Sequence, residues 1–174
     1  GALSAREVHH AVKRYEAEHG ANESTYWLVF ELLWRDFFQF TAARHGPRLF
    51  RRGGIARKPP TGSADASRFA AWCAGRTGEP FIDANLRELA ATGWMSNRGR
   101  QNAASYLVHD LGLDWRMGAW WFERQLIDYD PCSNWGNWQY VAGVGNDPRA
   151  GRRFDPVGQA ARYDADGAYR RLWG

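Results

Sequence analysis

Apolar residues along most of this chain recur every three or four positions, which is the period of an amphipathic helix. Between positions 22 and 44 the aromatic residues Trp27, Phe30 and Trp34 follow this spacing. An alternation of period two, which would indicate strands, never continues for more than a few residues. The pattern therefore predicts an all-α fold, with helices over about 4–19, 22–44, 65–74, 80–92, 96–111, 114–127 and 157–163.

Capping residues indicate where the first two helices begin and end. Ser4 and Glu7 have the spacing of a capping box, and Gly20 suits the end of the helix that they open. The second helix has two candidate caps, Asn22 and Ser24, because either side chain can accept a hydrogen bond from a free N–H of the first turn. These signals place the helix ends more firmly than apolar spacing alone.

Two segments depart from the helical period. Residues 50–67 are rich in Arg, Gly, Pro and Ser, and so long a loop in a compact domain is typically functional or mobile. Residues 126–150 are interrupted by Gly136, Gly143 and Gly145, and we expect a turn followed by an irregular loop there. A short aromatic tail follows the last predicted helix.

The composition is that of a globular chain and not of a membrane-spanning or disulfide-rich one. No run of about 18 apolar residues exists, so we expect no membrane insertion, and the first residues lack the apolar core of a signal peptide. The net charge of +4 permits a phosphate-facing patch without requiring one. Cys73 and Cys132 are too few for a disulfide framework or a zinc site, and they fit an intracellular reducing compartment, either cytoplasm or organelle.

Ten tryptophans in 174 residues are the unusual feature of the composition. One interpretation is an aromatic-rich helical core in which each indole N–H finds a local partner. Other interpretations give the tryptophans a function, in stacking on a base or a flavin or in electron hopping. Composition alone leaves these alternatives open.

Three polar side chains share one face of the helix predicted over 96–111. Asn97, Arg100 and Gln101 lie at i, i+3 and i+4, and each would need polar partners if it were buried. Amide and guanidinium groups can meet the edge of a heterocycle or a phosphate in two directions at once. The stripe is therefore a candidate recognition surface, and a solvated helix face is the alternative.

A second polar cluster follows the helix predicted over 114–127. Asp128 and Asp130 lie two residues apart, and Asn134 and Asn137 alternate with tryptophans just after them. A helix terminus with Asx turns would explain these residues, and so would a poor calcium loop, although the glutamate that an EF-hand needs at its twelfth position is missing. Motifs of hydrolases, zinc sites and P-loops are absent, so we expect no metal site.

Several longer strings resemble the flavin-binding domain of the photolyase/cryptochrome superfamily. They are ELLWRDFF (31–38), TGEPFIDANLRELAATGWMSNRGRQ (77–101), DLGLDWR (110–116) and LIDYDPCSNWGNWQYVAGVGNDPR (126–149). The segments SNRGRQ and SNWGNWQY resemble the corresponding segments of the DASH branch in particular, where a tyrosine normally occupies the position of Trp135. The resemblance extends over nearly the whole chain, and it implies that residues 1–174 form part of the helical FAD-binding domain.

The resemblance implies FAD as the cofactor. In this family the arginine of the WRDFF-like helix contacts the flavin, and an asparagine that matches Asn134 faces the flavin N5 atom in many members. The positions that match the family's flavin-binding residues are Arg35, Asn97, Arg100, Asp128, Asp130 and Asn134. Trp138 matches the proximal electron donor to photoexcited flavin, and Trp115 matches the next residue of the electron relay.

The resemblance also implies a substrate, a cyclobutane pyrimidine dimer flipped out of DNA. The positions that would meet the dimer are Glu31, Trp34, Asn97, Gln101 and Tyr140. Aromatic stacking is worth roughly 1–3 kcal/mol per base, and arginine contacts to phosphates would add a salt-dependent attraction. The implied activity is that of a deoxyribodipyrimidine photolyase, in which blue light drives an electron from reduced FAD to dimers in single-stranded or looped DNA. Glu31, Asn134, Trp115 and Trp138 are its catalytic candidates.

Departures from the family pattern leave a second hypothesis open. We expect the antenna domain and the flavin-phosphate loop to be missing, and no aromatic residue stands between Pro59 and Asp65, where the distal tryptophan of the relay belongs. The alternative is a truncated, flavin-free paralogue that acts as a structural or nucleic-acid-binding subunit, with RNA or a larger protein assembly as its partner. Retention of Asn97, Arg100 and Asn134 favours flavin binding, because buried polar groups without flavin would lack partners.

Overall fold

The computed structural model describes residues 3–59, 62–147 and 152–174, which are largely helical. The elements in chain order are α1 Ala5–His19, α2 Glu23–His45, a 3₁₀ helix Gly46–Phe50, α3 Ala66–Cys73, α4 Pro80–Thr92, α5 Asn97–Ser105, a π-helical turn Tyr106–Asp110, α6 Trp115–Gln125, α7 Pro131–Val141, α8 Pro156–Tyr163 and α9 Ala168–Leu172. Within the described residues no strand forms, and an isolated bridge joins Ser63 to Leu113. The prediction of an all-α fold is confirmed. None of the described helices combines the length and the hydropathy that a membrane span requires.

Capping contacts set the helix ends that the sequence predicts. Ser4 and Glu7 exchange the two hydrogen bonds of a capping box, at 2.9 and 3.1 Å. Gly20 follows α1 with a φ of 85°, a left-handed value that glycine adopts without strain. Of the two candidate caps for α2, Asn22 makes the contact, since its side chain accepts the N–H of Thr25 at 3.1 Å.

Residues 126–150 are not the turn and irregular loop that we predicted, because α7 occupies Pro131–Val141. Asp130 caps α7 and Pro131 stands at its first position, a combination that favours a helix start. The asparagines, tryptophans and glycine inside α7 are poor helix formers, and packing in the folded protein overrides that weak preference. Residues 148–150 lie outside the described part of the chain.

The loop predicted over 50–67 is shorter than expected, and the C-terminal tail is more regular. Phe50 still belongs to the 3₁₀ helix and Ala66 already belongs to α3, so the irregular segment lies between them. Beyond α8 the chain forms α9, where the Tyr169 hydroxyl donates to the Glu88 carboxylate of α4 at 2.6 Å. Helices this short depend on such distant contacts, which periodicity does not reveal.

The hydrophobic core lies between α4, α5, α6 and α7. Buried side chains of this core include Trp72, Ile82, Leu86, Leu107, Phe122 and Trp138. Close approach of α6 and α7 requires Gly118, because a Cβ there would lie 2.1 Å from the Trp138 ring. In the same way α2 reaches α7 at Gly136, where a Cβ would lie 2.3 Å from Phe38. The two glycines therefore allow α6 and α2 each to pack closely against α7.

A buried glutamine ties the segment after the 3₁₀ helix to the end of α7. The Gln139 amide donates to the Leu49 carbonyl at 2.6 Å and accepts the N–H of Ile55 at 3.0 Å. The Gln139 backbone carbonyl accepts the N–H groups of Val144 and Gly145, both at 3.0 Å. These partners lie at helix ends or in irregular backbone, so one residue satisfies polar groups that helices leave unpaired.

Candidate functional site

A cleft between α5, α7 and the turn before α7 collects most of the polar side chains that the sequence singled out. Ser96 caps α5 by accepting the N–H of Gly99 at 3.0 Å, and the helix then carries Asn97, Arg100 and Gln101 on one face. All three side chains line one cavity together with residues of α7. The stripe therefore forms part of the wall of an open cleft, in which Asn97 is exposed and Arg100 and Gln101 are partly buried.

Arg100 connects this stripe to the turn before α7. One guanidinium nitrogen donates to both carboxylate oxygens of Asp128, at 2.9 and 3.1 Å, and Nε donates to the Met95 carbonyl at 2.8 Å. The Arg100 side chain is 28% exposed and that of Asp128 is 52% exposed. Water screens an ion pair of this kind, so it adds little to the stability of the fold. Its charges remain accessible to a ligand in the cleft.

Asp130 and Asn134 begin α7 on the other side of the cleft. One oxygen of Asp130 accepts the N–H of Ser133 at 2.8 Å. The buried Asn134 amide donates to the Ala119 carbonyl of α6 at 3.0 Å, which fixes the orientation of its amide plane. We call the four converging polar residues the clamp: Arg100, Asp128, Asp130 and Asn134.

The clamp borders a cavity of about 160 Å³, here called the clamp cavity. The other lining residues are Asn97, Gln101, Ala104, Phe122, Leu126, Ser133, Asn137, Trp138, Tyr140, Val141, Arg152 and Phe154. The polar groups can pair with the edge of a planar heterocycle, while Phe122, Leu126 and Trp138 offer it apolar surface. Such a mixture is typical of a cofactor pocket.

A second cavity, of about 290 Å³, adjoins the first and is here called the aromatic cavity. Its lining residues are Glu31, Trp34, Arg35, Phe38, Asn97, Gln101, Ser133, Asn137, Tyr140 and Arg152. Trp34 of α2 meets Tyr140 of α7 edge to face, with 6.4 Å between the ring centroids. Every residue predicted to meet a flipped base therefore borders this cavity.

Two of the residues predicted for the flavin and its electron relay lie apart from the clamp cavity. Arg35 lines the aromatic cavity, and its guanidinium pairs with the Asp36 carboxylate at 2.9 Å. Trp115 lines neither cavity, because its ring is buried and its N–H donates to the Arg52 carbonyl at 3.0 Å. All predicted site residues other than Trp115 thus border one of the two cavities.

Arg152 lines both cavities, although no motif or spacing in the sequence indicated it. Its guanidinium lies 4.6 Å from the centroid of the Tyr140 ring, donates to the Tyr140 hydroxyl and pairs with buried Asp147 at 3.0 Å. It follows a glycine-rich stretch without periodicity, so spacing carried no signal. Ser133 was also missed, and its i, i+4 spacing to Asn137 becomes informative only once α7 is known to be a helix.

The two thiols are not prepared for nucleophilic chemistry. Burial raises the pKa of Cys132, with the Asp130 carboxylate adding to the effect and Arg35 opposing it. Burial also raises the pKa of the Cys73 thiol to about 12. Since the thiolate is the reactive form, both side chains stay protonated at neutral pH. In the part of the chain that the structure describes, no group of His, Cys, Asp and Glu side chains could hold a metal ion.

Comparisons with known proteins find relatives along almost the whole chain. A family model described as "FAD binding domain of DNA photolyase" matches residues 27–173. The chain is 56% identical to cryptochrome DASH of Danio rerio, over 99% of this chain and 33% of the relative. It is 58% identical to cryptochrome DASH of Gloeobacter violaceus, over 99% of this chain and 35% of the relative. The crystal structure of the Synechocystis cryptochrome matches at a TM-score of 0.95 and 57% identity, over 98% of this chain and 35% of that one. A class III photolyase from Agrobacterium tumefaciens matches at a TM-score of 0.89 and 35% identity, over 98% of this chain and 36% of its own.

The chain therefore spans about a third of the length of these relatives. The region matched by the family model, residues 27–173, includes the clamp and the lining of both cavities. The polar cluster that the sequence left open as Asx turns or a poor calcium loop thus lies inside a cofactor-binding domain.

Proposed function

The chain belongs to the family of FAD-binding domains of DNA photolyase, and on that premise we propose that it is the flavin-binding part of a DASH-type cryptochrome that repairs DNA. The proposed activity is blue-light-driven electron transfer from reduced FAD to cyclobutane pyrimidine dimers in single-stranded or looped DNA. The observation that carries the proposal is the clamp cavity, where two carboxylates, an amide and a guanidinium converge on a space walled by Trp138 and Phe122.

The side chains that line this cavity fit a flavin chemically. An isoalloxazine edge alternates hydrogen-bond donors and acceptors, and the clamp supplies both kinds, because Asp128 and Asp130 accept while Arg100 donates. The faces of the ring system are apolar, and so are the Phe122 and Trp138 side chains. Asn134 is nine-tenths buried, which suits an amide that completes its hydrogen bonding with a ligand.

In the proposed complex each clamp residue has a separate task. Asp128 and Asp130 hold the edge of the flavin and the adenosine side of the cofactor, with Arg100, Asn97 and Arg35 as further contacts. Asn134 would face the flavin N5 atom, and its amide is already held by the Ala119 carbonyl. When bound and reduced, FAD would supply the light-driven chemistry, in which one electron passes to the dimer and returns after the ring has split. The protein contributes orientation, exclusion of water and a nearby electron donor, Trp138.

The aromatic cavity is the proposed place of the flipped dimer. Trp34 and Tyr140 offer two ring surfaces for stacking, and Glu31 and Gln101 offer groups that can pair with the base edges. The cavity shares part of its lining with the clamp cavity, which keeps a bound dimer close to a bound flavin. Arginines near the cleft would contact phosphates, so binding should weaken as salt is raised.

Titration of the purified full chain with FAD tests the cofactor part of this proposal. We expect one equivalent to bind, visible as retained flavin absorption after gel filtration, and Asn134→Leu to weaken binding strongly. Asp166→Asn, a change on the exposed surface near α9, is the matched control and should bind normally. A colourless protein that rejects added FAD would overturn the proposal for this chain.

Binding and repair of short oligonucleotides test the substrate part. A single strand that carries one thymine dimer should bind more tightly than the same undamaged strand, and Trp34→Ala should remove most of that preference. Illumination of the FAD-loaded protein should then restore the undamaged absorption spectrum of the oligonucleotide. Equal affinity for both strands, together with no repair, would leave flavin binding intact and exclude the photolyase activity.

Exposed apolar side chains on α2 favour the second candidate function, a subunit of a larger assembly. Tyr26, Leu33 and Phe40 are 59%, 60% and 73% exposed, which is unusual for side chains that share one helix. A partner protein would cover them. This function would replace the first if the chain rejected FAD and formed a stable complex with a partner through α2.

A further inference from the structure

Two tryptophans that face each other across the α6–α7 interface lie on the far side of α7 from the aromatic cavity. The Trp115 and Trp135 rings meet edge to face with 5.7 Å between centroids. On α7, Trp135 lies three residues before Trp138. On α6, Trp115 lies three residues before Gly118, and the Trp138 ring packs against Gly118. Trp138, Trp115 and Trp135 all belong to the same buried hydrophobic core.

The Trp135 indole differs from those of Trp72 and Trp115 in the group that accepts its hydrogen bond. Its N–H donates to the Glu123 carboxylate at 3.1 Å and lies 3.3 Å from the Tyr129 hydroxyl oxygen. The N–H groups of Trp72 and Trp115 donate to backbone carbonyls, at 3.3 and 3.0 Å. A carboxylate can accept the proton of an oxidised indole, whereas a peptide carbonyl cannot hold it.

We propose that Trp135 is the end of the electron relay in this chain and that Glu123 is its proton acceptor. The proposal rests on the proposed flavin function, because photoexcited oxidised flavin is the oxidant that draws the first electron from Trp138. Trp138 is then reduced through Trp115, or directly, by one electron from Trp135. Oxidised Trp135 transfers its N–H proton to Glu123 and becomes a neutral radical. An external thiol later returns one electron, and the proton returns from Glu123.

Proton release explains why the oxidised state would remain on Trp135. An indole radical cation is a far stronger acid than indole, so transfer of its proton to a carboxylate stabilises the oxidised state at that residue. Return of the electron to Trp135 then requires the proton as well, which slows recombination. Glu123 is exposed, so a reductant in solution can reach the pair from its side. No aromatic residue stands between Pro59 and Asp65, where the family's distal tryptophan belongs, and Trp135 supplies an end point that this segment lacks.

One-electron oxidation of the flavin-free chain tests the assignment without any photochemistry. Azide radicals generated by pulse radiolysis oxidise tryptophan, and transient absorption distinguishes protonated from neutral indole radicals. We expect a long-lived neutral radical in the wild type, loss of most of it in Trp135→Phe, and persistence of the protonated form in Glu123→Gln. Peptide mapping after oxidation in air should place the main modification on Trp135.

Two control variants separate this site from its nearest alternatives. Trp27→Phe removes another indole whose N–H meets a carboxylate, that of Glu23 at 3.3 Å on exposed α2, and it should leave the core radical unchanged. Tyr129→Phe should also leave the signal as an indole radical. A tyrosyl signal that disappears in Tyr129→Phe, or an equal long-lived signal in Trp135→Phe, would overturn the proposal. Unchanged thermal unfolding of Glu123→Gln shows that the change in radical type is not a folding defect.

Blue-light excitation of the FAD-loaded chain then distinguishes failure of the relay from failure of the cofactor proposal. With an external thiol present, Trp135→Phe should bind FAD normally and lose most of the lasting flavin reduction. If FAD binds and is reduced equally in wild type and Trp135→Phe, the proposed end point is wrong and the proposed function survives. If FAD does not bind, the proposed function fails while the flavin-free radical test still decides the role of Trp135.

Discussion

Asp128 is half exposed, and its ion pair with Arg100 is screened by water. Asp128→Asn is therefore expected to change the free energy of unfolding by less than about 1 kcal/mol. The same change should weaken FAD binding by about tenfold or more, because a hydrogen bond to a charged group contributes about 1.5–3 kcal/mol. Urea unfolding and FAD titration on the same variant measure the two effects. Equal losses of stability and affinity would indicate a structural role for the pair.

Site residues could be predicted from the sequence where they share one face of a helix. The stripe of Asn97, Arg100 and Gln101 follows from spacing alone, since all three lie on one face of α5. In the sequence, Trp135 stood out only because the related DASH segment normally has a tyrosine at this position. Its hydrogen bond to Glu123 forms only when α6 packs on α7, so the sequence could not predict it. Arg152 contacts Tyr140 from a part of the sequence without apolar period, and local spacing holds no information about such a contact.

At the scale of elements, the α6–α7 contact depends on the absence of a side chain at Gly118. A Cβ there would lie 2.1 Å from the buried Trp138 ring, so the ring or the helix must shift. We expect Gly118→Ala to destabilise the protein by about 1–3 kcal/mol, as overpacking usually does. Thermal or urea unfolding measures the loss.

A double-mutant cycle identifies the contact as the cause of that loss. Trp138→Leu removes the ring that the new methyl group meets, so Gly118→Ala should cost less in the Trp138→Leu background than in the wild type. Purely additive losses would mean that the alanine acts elsewhere, for example on the helix backbone.

The junction of α8 and α9 depends on a buried carboxylate. Burial alone would raise the pKa of Asp164, but hydrogen bonds from the Arg170 side chain and from the N–H groups of Tyr169 and Arg170 outweigh it and lower the pKa below the ordinary 3.8. A lowered pKa in the folded state stabilises the fold above pH 3.8, and this contribution is lost as pH falls through the lowered pKa. Asp164→Asn should therefore cost about 1.5–3 kcal/mol at neutral pH and progressively less in acid.

Urea unfolding at a series of pH values checks this prediction. The wild-type and Asp164→Asn stabilities should converge as the solution becomes acidic, whereas Asp166→Asn, at a neighbouring exposed carboxylate, should parallel the wild type throughout. A gap that stayed constant with pH would mean that Asp164 acts through packing and not through its charge.

Elements were predicted wherever apolar period and capping agreed, and α7 shows what happens when they do not. Its sequence is rich in Asn, Gly and Trp, so both propensity and pattern favour irregular structure. The helix forms because Gly136 and Trp138 fit against α2 and α6, contacts that exist only in the assembled fold. The Asp130–Pro131 start signal was present in the sequence, but no apolar period followed it.

The whole molecule exposes an apolar surface along α2 that few globular chains tolerate alone. Leu33 and Phe40 are 60% and 73% exposed, so we expect the isolated chain to self-associate at high concentration. The double substitution Leu33→Glu/Phe40→Glu should shift the population toward monomer in sedimentation velocity runs. Leu172→Glu, which charges a 74% exposed position on α9, is the matched control and should leave the distribution unchanged. Monomeric wild-type protein at every concentration would contradict the prediction.

Gln139 should slow the hydrogen exchange of one backbone amide that lies outside the helices, that of Ile55. The Ile55 N–H is held by a side chain that is 1% exposed, so it can exchange with deuterium only when the end of α7 opens. Exchange at Ile55 should therefore be as slow as in the core, although Ile55 lies outside any helix. Because Trp138 and Tyr140 flank Gln139 and both line the clamp cavity, the protection of this one amide reports how often the cavity wall opens. A ligand that binds there should slow the exchange further, which makes Ile55 a natural probe of occupancy.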